Sequence, residues 1–249
     1  MLSDAELDRY ARQIILPQFG GAGQAKLKAA HVALIGAGGI GCPAITYLAA
    51  AGVGRLTIID DDRVELSNLQ RQPLFTDADI GRPKAVVAAD AARRINPHVE
   101  AVAVEARLDT GNAEALLADA TLILDGCDNF ATRLAVNRAA VAREIPLLSA
   151  AIGAVEGQIA LYEGWRGDSA CYGCLVGDDP DRPGINCAEA GVMGALAGMV
   201  GTMAALEAVR ALTGWGQPLT GRLAILDMLD RRWREVGVAK EPTCPICSA

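Results

Sequence analysis

HVALIGAGGIGCPA (31–44), LTIIDDDRVELSNLQRQ (56–72) and GRPK (81–84) lie in one stretch of chain whose reading decides the fold. The apolar run Val32–Ile35 fits a buried strand. Gly36, Gly38, Gly39 and Gly41 follow it in a G-x-G-x-x-G turn that opens a helix over about Gly41–Ala51. Small residues there permit a tight turn and let N–H groups at the helix start face phosphate oxygens. Leu56–Ile59 reads as a second strand ending in Asp60–Asp62, and Asp60 stands where a carboxylate accepts hydrogen bonds from ribose hydroxyls. Asn68, Arg71 and Lys84 then add polar and cationic groups along a long polar segment. A glycine turn alone is a weak signal, because tight turns between strand and helix also occur without ligands. With Asp60 it predicts a nucleotide site, and the added positive charge suits a triphosphate better than a hydride carrier.

Outward from this stretch the same alternation continues. Val99–Val104 precedes a short helix near Asn112–Ala118, Leu122–Leu124 ends in DGCDN before a helix over about Thr132–Arg143, and Pro146–Ser149 adds a further apolar strand. Short apolar strands alternating with helices predict a doubly wound, Rossmann-like, mostly parallel sheet. Ligands of such sheets bind beyond the carboxyl ends of the strands, where Gly36–Gly41, Asp60–Asp62 and Asp125–Asn129 all fall. After Ala150 the pattern changes. Strands at Gln158–Tyr162, Arg222–Leu226 and Trp233–Val236 read as an antiparallel extension. GDDPDRPGIN (Gly177–Asn186), with its Pro, Gly and Asp, reads as a mobile loop.

The 249 residues are 51% hydrophobic and 21% charged, which is enough to bury a sizeable core as one large domain or one domain with an appendage. A net charge of -7 disfavours nucleic acid as a partner. MLSDAELDRYARQ is charged and reads as an amphipathic helix, with Ser3 and Glu6 in capping-box spacing, rather than as a secretory segment. Gly191–Leu212 is apolar enough to imitate a membrane span, but its small residues, Glu207 and Arg210 fit a core or interface helix. The expectation is a cytoplasmic protein without a membrane partner.

An oxidoreductase reading needs a proton-transfer group, and the two histidines, His31 at a strand start and His98 in a turn, read as structural or surface residues. Arg71 and Lys84 could instead offset the charge of a leaving pyrophosphate, or be solvated surface charges. Asp128 could hold Mg²⁺ beside phosphates, or cap a turn. No Walker-type G-x-x-x-x-G-K-[ST] occurs. Among seven cysteines, Cys171–Cys174 and Cys244–Cys247 form two C-x-x-C pairs far apart in the chain. Two such knuckles suit tetrahedral Zn²⁺ and a structural task, with a redox dithiol as the alternative. Cys187 stands beside the expected loop, as a nucleophile or as an inert thiol, while Cys42 and Cys127 read as packing residues.

GAGGIG, DDDRVELSNLQRQ, RPK, DGCDN, CYGC, NCAEAGVMG and CPIC, kept in order over essentially the whole chain, resemble the ThiF/MoeB/HesA adenylyltransferases, bacterial relatives of ubiquitin-activating E1 enzymes. The resemblance implies one ThiF/E1-like domain over 1–249: N-terminal helices over 1–30, a nucleotide-binding core over 31–150, and a zinc-bearing, carrier-binding part over 151–249. It implies ATP, Mg²⁺ and Zn²⁺, and adenylylation of the Gly-Gly tail of a small ubiquitin-fold sulfur carrier of the ThiS or MoaD type, in thiamine-thiazole or molybdopterin biosynthesis. By motif, Gly38, Gly39 and Gly41 line the phosphates, Asp60 takes the ribose, and Asp62, Asn68, Arg71, Gln72 and Lys84 shape the ATP site. Asp128 binds the metal or positions the reacting groups. Arg12, from RYARQ, resembles an arginine that reaches the nucleotide of a neighbouring subunit, which implies a homodimer. Cys171, Cys174, Cys244 and Cys247 match the zinc ligands, and Cys187 matches a cysteine that in the thiazole type bonds covalently to the carrier. The chain ends at CPICSA without a rhodanese domain, so a separate sulfurtransferase or cysteine desulfurase is implied. Other readings of the residues are a nicotinamide-dependent oxidoreductase and a non-catalytic nucleotide-binding scaffold.

Overall fold

The computed structural model describes residues 1–181 and 191–248. Cys187 and much of the segment read as a mobile loop lie outside the described residues.

Ser3 starts α1 (Asp4–Ile14): its hydroxyl accepts from the Glu6 N–H at 3.3 Å while the Glu6 carboxylate accepts from the Ser3 N–H at 2.8 Å. This closes the expected capping box and satisfies donors a helix start otherwise leaves open. Next, α2 (Gly20–Ala29) leads into β1 (His31–Ile35), α3 (Gly41–Ala51) and β2 (Arg55–Ile59). A long segment with short turns at Leu66–Asn68 and Asp77–Asp79 connects β2 to α4 (Lys84–Ile95) and β3 (Glu100–Val104). The second half-unit runs through α5 (Ala113–Leu117), β4 (Leu122–Asp125), α6 (Phe130–Ala142) and β5 (Leu147–Ile152). Last come β6 (Glu156–Tyr162), α7 (Tyr172–Val176), α8 (Gly194–Thr213), β7 (Arg222–Asp227) and β8 (Arg232–Gly237).

The strands form one eight-stranded sheet in the order β3-β2-β1-β4-β5-β6-β7-β8. From β3 to β5 the pairs are parallel, and from β5 to β8 antiparallel, as the change of pattern after Ala150 predicts. Chain direction across the sheet reverses between β1 and β4, where Ile35 pairs with Asp125. That switch point opens a crevice at the carboxyl ends of both strands.

Alternate residues of β1 feed two cores. Val32 and Leu34 pack with α2, α3, α4 and α8, whereas Ala33 and Ile35 pack with α5, α6 and Tyr172 of α7. Full burial of successive strand residues is what a sheet covered on both faces requires. Several boundaries differ from the sequence reading, two of them for a clear reason. Asn129 caps α6 by accepting from the Thr132 N–H at 2.9 Å, so the helix starts at Phe130. β5 runs on to Ile152 because antiparallel pairing with β6 continues to Ile152–Gly157. The apolar α8 packs on α3 and β5, burying Leu196, Ala197, Val200, Ala204, Ala205 and Ala208. Length and composition would let it cross a membrane, but its buried stripe is used inside this fold.

Candidate active site

The turn after β1 can form only with glycine at two places. Gly36 has φ +89°, and a Cβ on Gly41 would lie 2.0 Å from the Gly36 carbonyl oxygen. The first needs the left-handed backbone and the second a bare Cα for close passage. Gly38 and Gly39 line the crevice, but Gly41 is buried and is not among its lining residues. The bare Cα of Gly41 is what lets α3 start against the turn.

The crevice is a cavity of about 910 Å³. Asp60, Asp62, Asn68, Arg71, Gln72, Lys84 and Asp128 all line it, so most residues singled out in the sequence converge. Asp60 accepts from the Ala37 N–H at 2.7 Å and the Asp62 N–H at 2.8 Å. This ties the end of β2 to the glycine turn. Burial raises its carboxyl above the ordinary value, opposed by those two hydrogen bonds and by Lys84. Lys84 is buried at the start of α4, and its Nζ donates to Asp62 at 2.8 Å. Arg71 donates to the Ser67 carbonyl at 2.9 Å, leaving its half-buried side chain along the wall. The amide oxygens of Asn68 and Gln72 are buried without a hydrogen-bond partner. A buried polar atom left unpaired at a cavity wall calls for a partner, which a ligand can supply; either amide, turned about, would also donate to a phosphate oxygen.

Asp128 stands in the turn after β4, exposed, with no hydrogen bond or ion pair of its own among the described residues. A carboxylate so placed suits a Mg²⁺ ion shared with phosphates. Arg12 is exposed on α1 and does not line the cavity of its own chain. Of the histidines, His31 is fixed by the Asp119 carbonyl and the Thr57 hydroxyl, both at 2.8 Å, and neither it nor His98 lines the cavity. Cys42 is a buried packing residue as expected. Cys127 is not only that: it packs on the core and also lines the cavity.

Sequence reading missed Arg133, Ser149, Gln158, Tyr162 and Tyr172, which complete the cavity from α6, β5, β6 and α7. The signal available was weak, because these residues reach one place only through strand order.

Four thiols meet beside this wall. Cys171 lies 3.9 Å from Cys174 and 3.7 Å from Cys244 by sulfur separation, and Cys174 lies 3.5 Å from Cys247. A tetrahedral Zn²⁺ with bonds near 2.3 Å places its sulfurs about 3.8 Å apart, so the four fit that ion. Burial pushes the Cys171 thiol up, with the Asn137 amide opposing at 3.4 Å; a bound cation would reverse that direction. The cluster joins α7 to the C-terminal segment, as two distant knuckles imply.

Fold and cavity define a class: a doubly wound α/β protein whose polar cleft, lined by both basic and acidic side chains, lies at the switch point of its sheet. The chain belongs to the ThiF family, whose model matches residues 10–246. It is 46% identical to the sulfur carrier protein adenylyltransferase of Thermus thermophilus, over 97% of this chain and 91% of that protein. Identity to the molybdopterin-synthase adenylyltransferase of Escherichia coli is 44%, over 99% and 98% of the two chains. A crystal structure of Escherichia coli MccB with ATP superposes with a TM-score of 0.83 at 23% identity, covering 96% of this chain and 74% of that one, a likeness of fold.

Proposed function

We propose that the chain adenylylates the C-terminal glycine carboxylate of a small ubiquitin-fold sulfur carrier of the ThiS or MoaD type, using ATP and releasing pyrophosphate. The observation that carries this reading is the convergence of Gly38, Gly39, Asp60, Arg71, Lys84 and Asp128 on one cavity. Relatives named sulfur carrier protein and molybdopterin-synthase adenylyltransferase support it.

A carrier carboxylate oxygen attacks the α-phosphorus, the bond from that phosphorus to the bridging oxygen breaks, and a mixed anhydride and pyrophosphate result. No proton is transferred, so no general base is required. This agrees with a cavity lined by neither histidine and removes the need that the oxidoreductase reading would impose. The obstacle is electrostatic, because one anion approaches another. Backbone N–H groups at Gly38 and Gly39 and the cations of Arg71 and Lys84 oppose it where negative charge accumulates. Asp60 orients the ribose, and Asn68 and Gln72 give their unpaired amides to the nucleotide. Asp128 would hold Mg²⁺, which when bound neutralises phosphate charge. The four cysteines would hold Zn²⁺ as a structural tie between α7 and the tail.

Arg12, exposed and apart from its own chain's cavity, reaches the nucleotide of a second copy in a homodimer with shared sites. The carrier then takes its sulfur from a separate sulfurtransferase or cysteine desulfurase, in the cytoplasm. Division of the chain into helices over 1–30, a nucleotide core over 31–150 and a carrier-binding part over 151–249 belongs to the same reading, as does a covalent relay at Cys187. Isotope exchange between pyrophosphate and ATP tests the reaction. Exchange is expected only with a carrier ending in Gly-Gly, and its absence with every such carrier would overturn the proposal.

A further inference from the structure

We propose that Arg133 is a positioning residue that fixes the Asp128 turn for the reaction, an inference that rests on the adenylylation reading above. Arg133 sits in the first part of α6 and is buried, although it borders the cavity. Its two terminal nitrogens already serve protein acceptors. Nη1 donates to Asp125 Oδ2 at 3.3 Å and to Ser149 Oγ at 3.0 Å. Nη2 donates to the Ala150 carbonyl at 3.0 Å and to the Cys127 carbonyl. The guanidinium also faces the Tyr172 ring, 6.0 Å from its centroid.

The contact with Cys127 matters most. Its carbonyl belongs to the peptide plane that leads directly into Asp128. On the other side, the Cys127 N–H donates to Asp125 Oδ1 at 3.0 Å. The Asp125–Arg133 pair therefore holds Cys127 by its N–H and by its C=O, and so sets the direction in which Asp128 leaves the turn. A buried ion pair contributes little net stability compared with apolar residues of similar size, so stability alone gives weak reason for this arrangement. A guanidinium supplies what a lysine cannot: donors in a rigid fork that reach β4, β5 and the turn at once. Asp128 makes no hydrogen bond or ion pair among the described residues, so its direction is set by its neighbours: the clamp on Cys127 before it and the α6 cap at Asn129 after it.

The test is a cycle of Arg133→Lys, Asp128→Asn and the double variant. Carrier-dependent pyrophosphate exchange is measured beside equilibrium binding of a non-hydrolysable ATP analogue and far-UV circular dichroism. Arg133→Lys is expected to fold and to bind the analogue about as the wild type does, while kcat falls about ten- to a hundredfold, the scale of a displaced reacting group. In the Asp128→Asn background the same change should cost nothing further, because the two residues act in series. Arg133→Met is expected to be slower than Arg133→Lys, which keeps part of the clamp. Additive losses, a wild-type kcat, or a defect confined to analogue binding would each overturn the inference. Should Arg133→Lys not fold, Asp125→Asn with Arg133→Met removes both buried charges together and carries the same comparison; if that pair also fails to fold, the clamp is a folding element and the inference is wrong. A wild type that exchanges with no carrier would instead sink the adenylylation reading itself.

Discussion

Arg71 and Lys84 differ in how they are held, and the difference governs what their loss should do. Lys84 is buried with its ammonium on the Asp62 carboxylate, whereas half-buried Arg71 lines the cavity with its one side-chain hydrogen bond on the Ser67 carbonyl. Removing Arg71 leaves no buried charge behind. Arg71→Ala is therefore expected to fold normally and to lose a charge-assisted contact of about 1.5–3 kcal/mol, slowing exchange about ten- to a hundredfold; an unchanged rate would take Arg71 out of the chemistry. Charged side chains on a polar segment after a strand end were readable from sequence because nothing else in that segment demands them. Arg133 was not, since an arginine in the first turns of a helix ordinarily reads as a solvated charge. Only the register that brings Asp125 beside Ser149 reveals its acceptors. Gly41 shows a second limit: its spacing marks it as a turn glycine, but the need for a bare Cα comes only from the 2.0 Å approach to the Gly36 carbonyl oxygen.

Among the elements, α1 carries a titration that can be followed. Lys28, 2.7 Å away, and the Ser3 hydrogen bonds hold the Glu6 carboxyl at about 2, below its usual 4.5. Ionised Glu6 thus favours the folded chain above pH 4.5, and that contribution is lost as pH falls from 4.5 toward 2. Glu6→Gln keeps a partner for Ser3 but should flatten this acid limb of a Tm profile; an unaltered limb would mean that the pair does not act. At the other end of the fold, a Cβ on Gly194 would lie 2.2 Å from the Gln70 carbonyl oxygen and 3.2 Å from the Arg71 Cα. Gly194→Ala should push the start of α8 off the Arg71 segment and raise the KM for ATP more than it lowers Tm. Equal ATP kinetics in that variant would show that α8 does not shape the site. The existence and type of these elements followed from apolar periodicity. Their ends did not, because β5 is prolonged by pairing with β6 and the start of α6 is set by the Asn129 cap, neither of which apolar periodicity registers.

For the whole molecule, the four cysteines tie α7 to the C-terminal segment, so metal removal should act at a distance from the nucleotide. Cys244→Ser, or a strong chelator, is expected to abolish bound zinc and lower Tm while leaving the affinity for an ATP analogue nearly intact; zinc content unchanged by Cys244→Ser would dismiss the site. The proposed sharing of sites between protomers carries a second whole-molecule expectation. Mixing Arg12→Ala with Lys84→Ala protomers, each nearly inactive, should restore activity toward about a quarter of wild type as mixed dimers form one intact site in each. No recovery would place Arg12 outside the partner's site. The two C-x-x-C pairs were legible because four thiols at knuckle spacing have few other uses, whereas Arg12 on an exposed helix acquired a meaning only through family resemblance.

The most direct measurement is the intact mass of a Gly-Gly carrier incubated with the protein, ATP and magnesium. The carrier should gain one adenylyl group, lose it again when pyrophosphate is added, and remain unmodified when its terminal glycine is deleted. A carrier of unchanged mass while ATP is bound, or one modified equally well without that glycine, would contradict activation of a terminal carboxylate in this cavity.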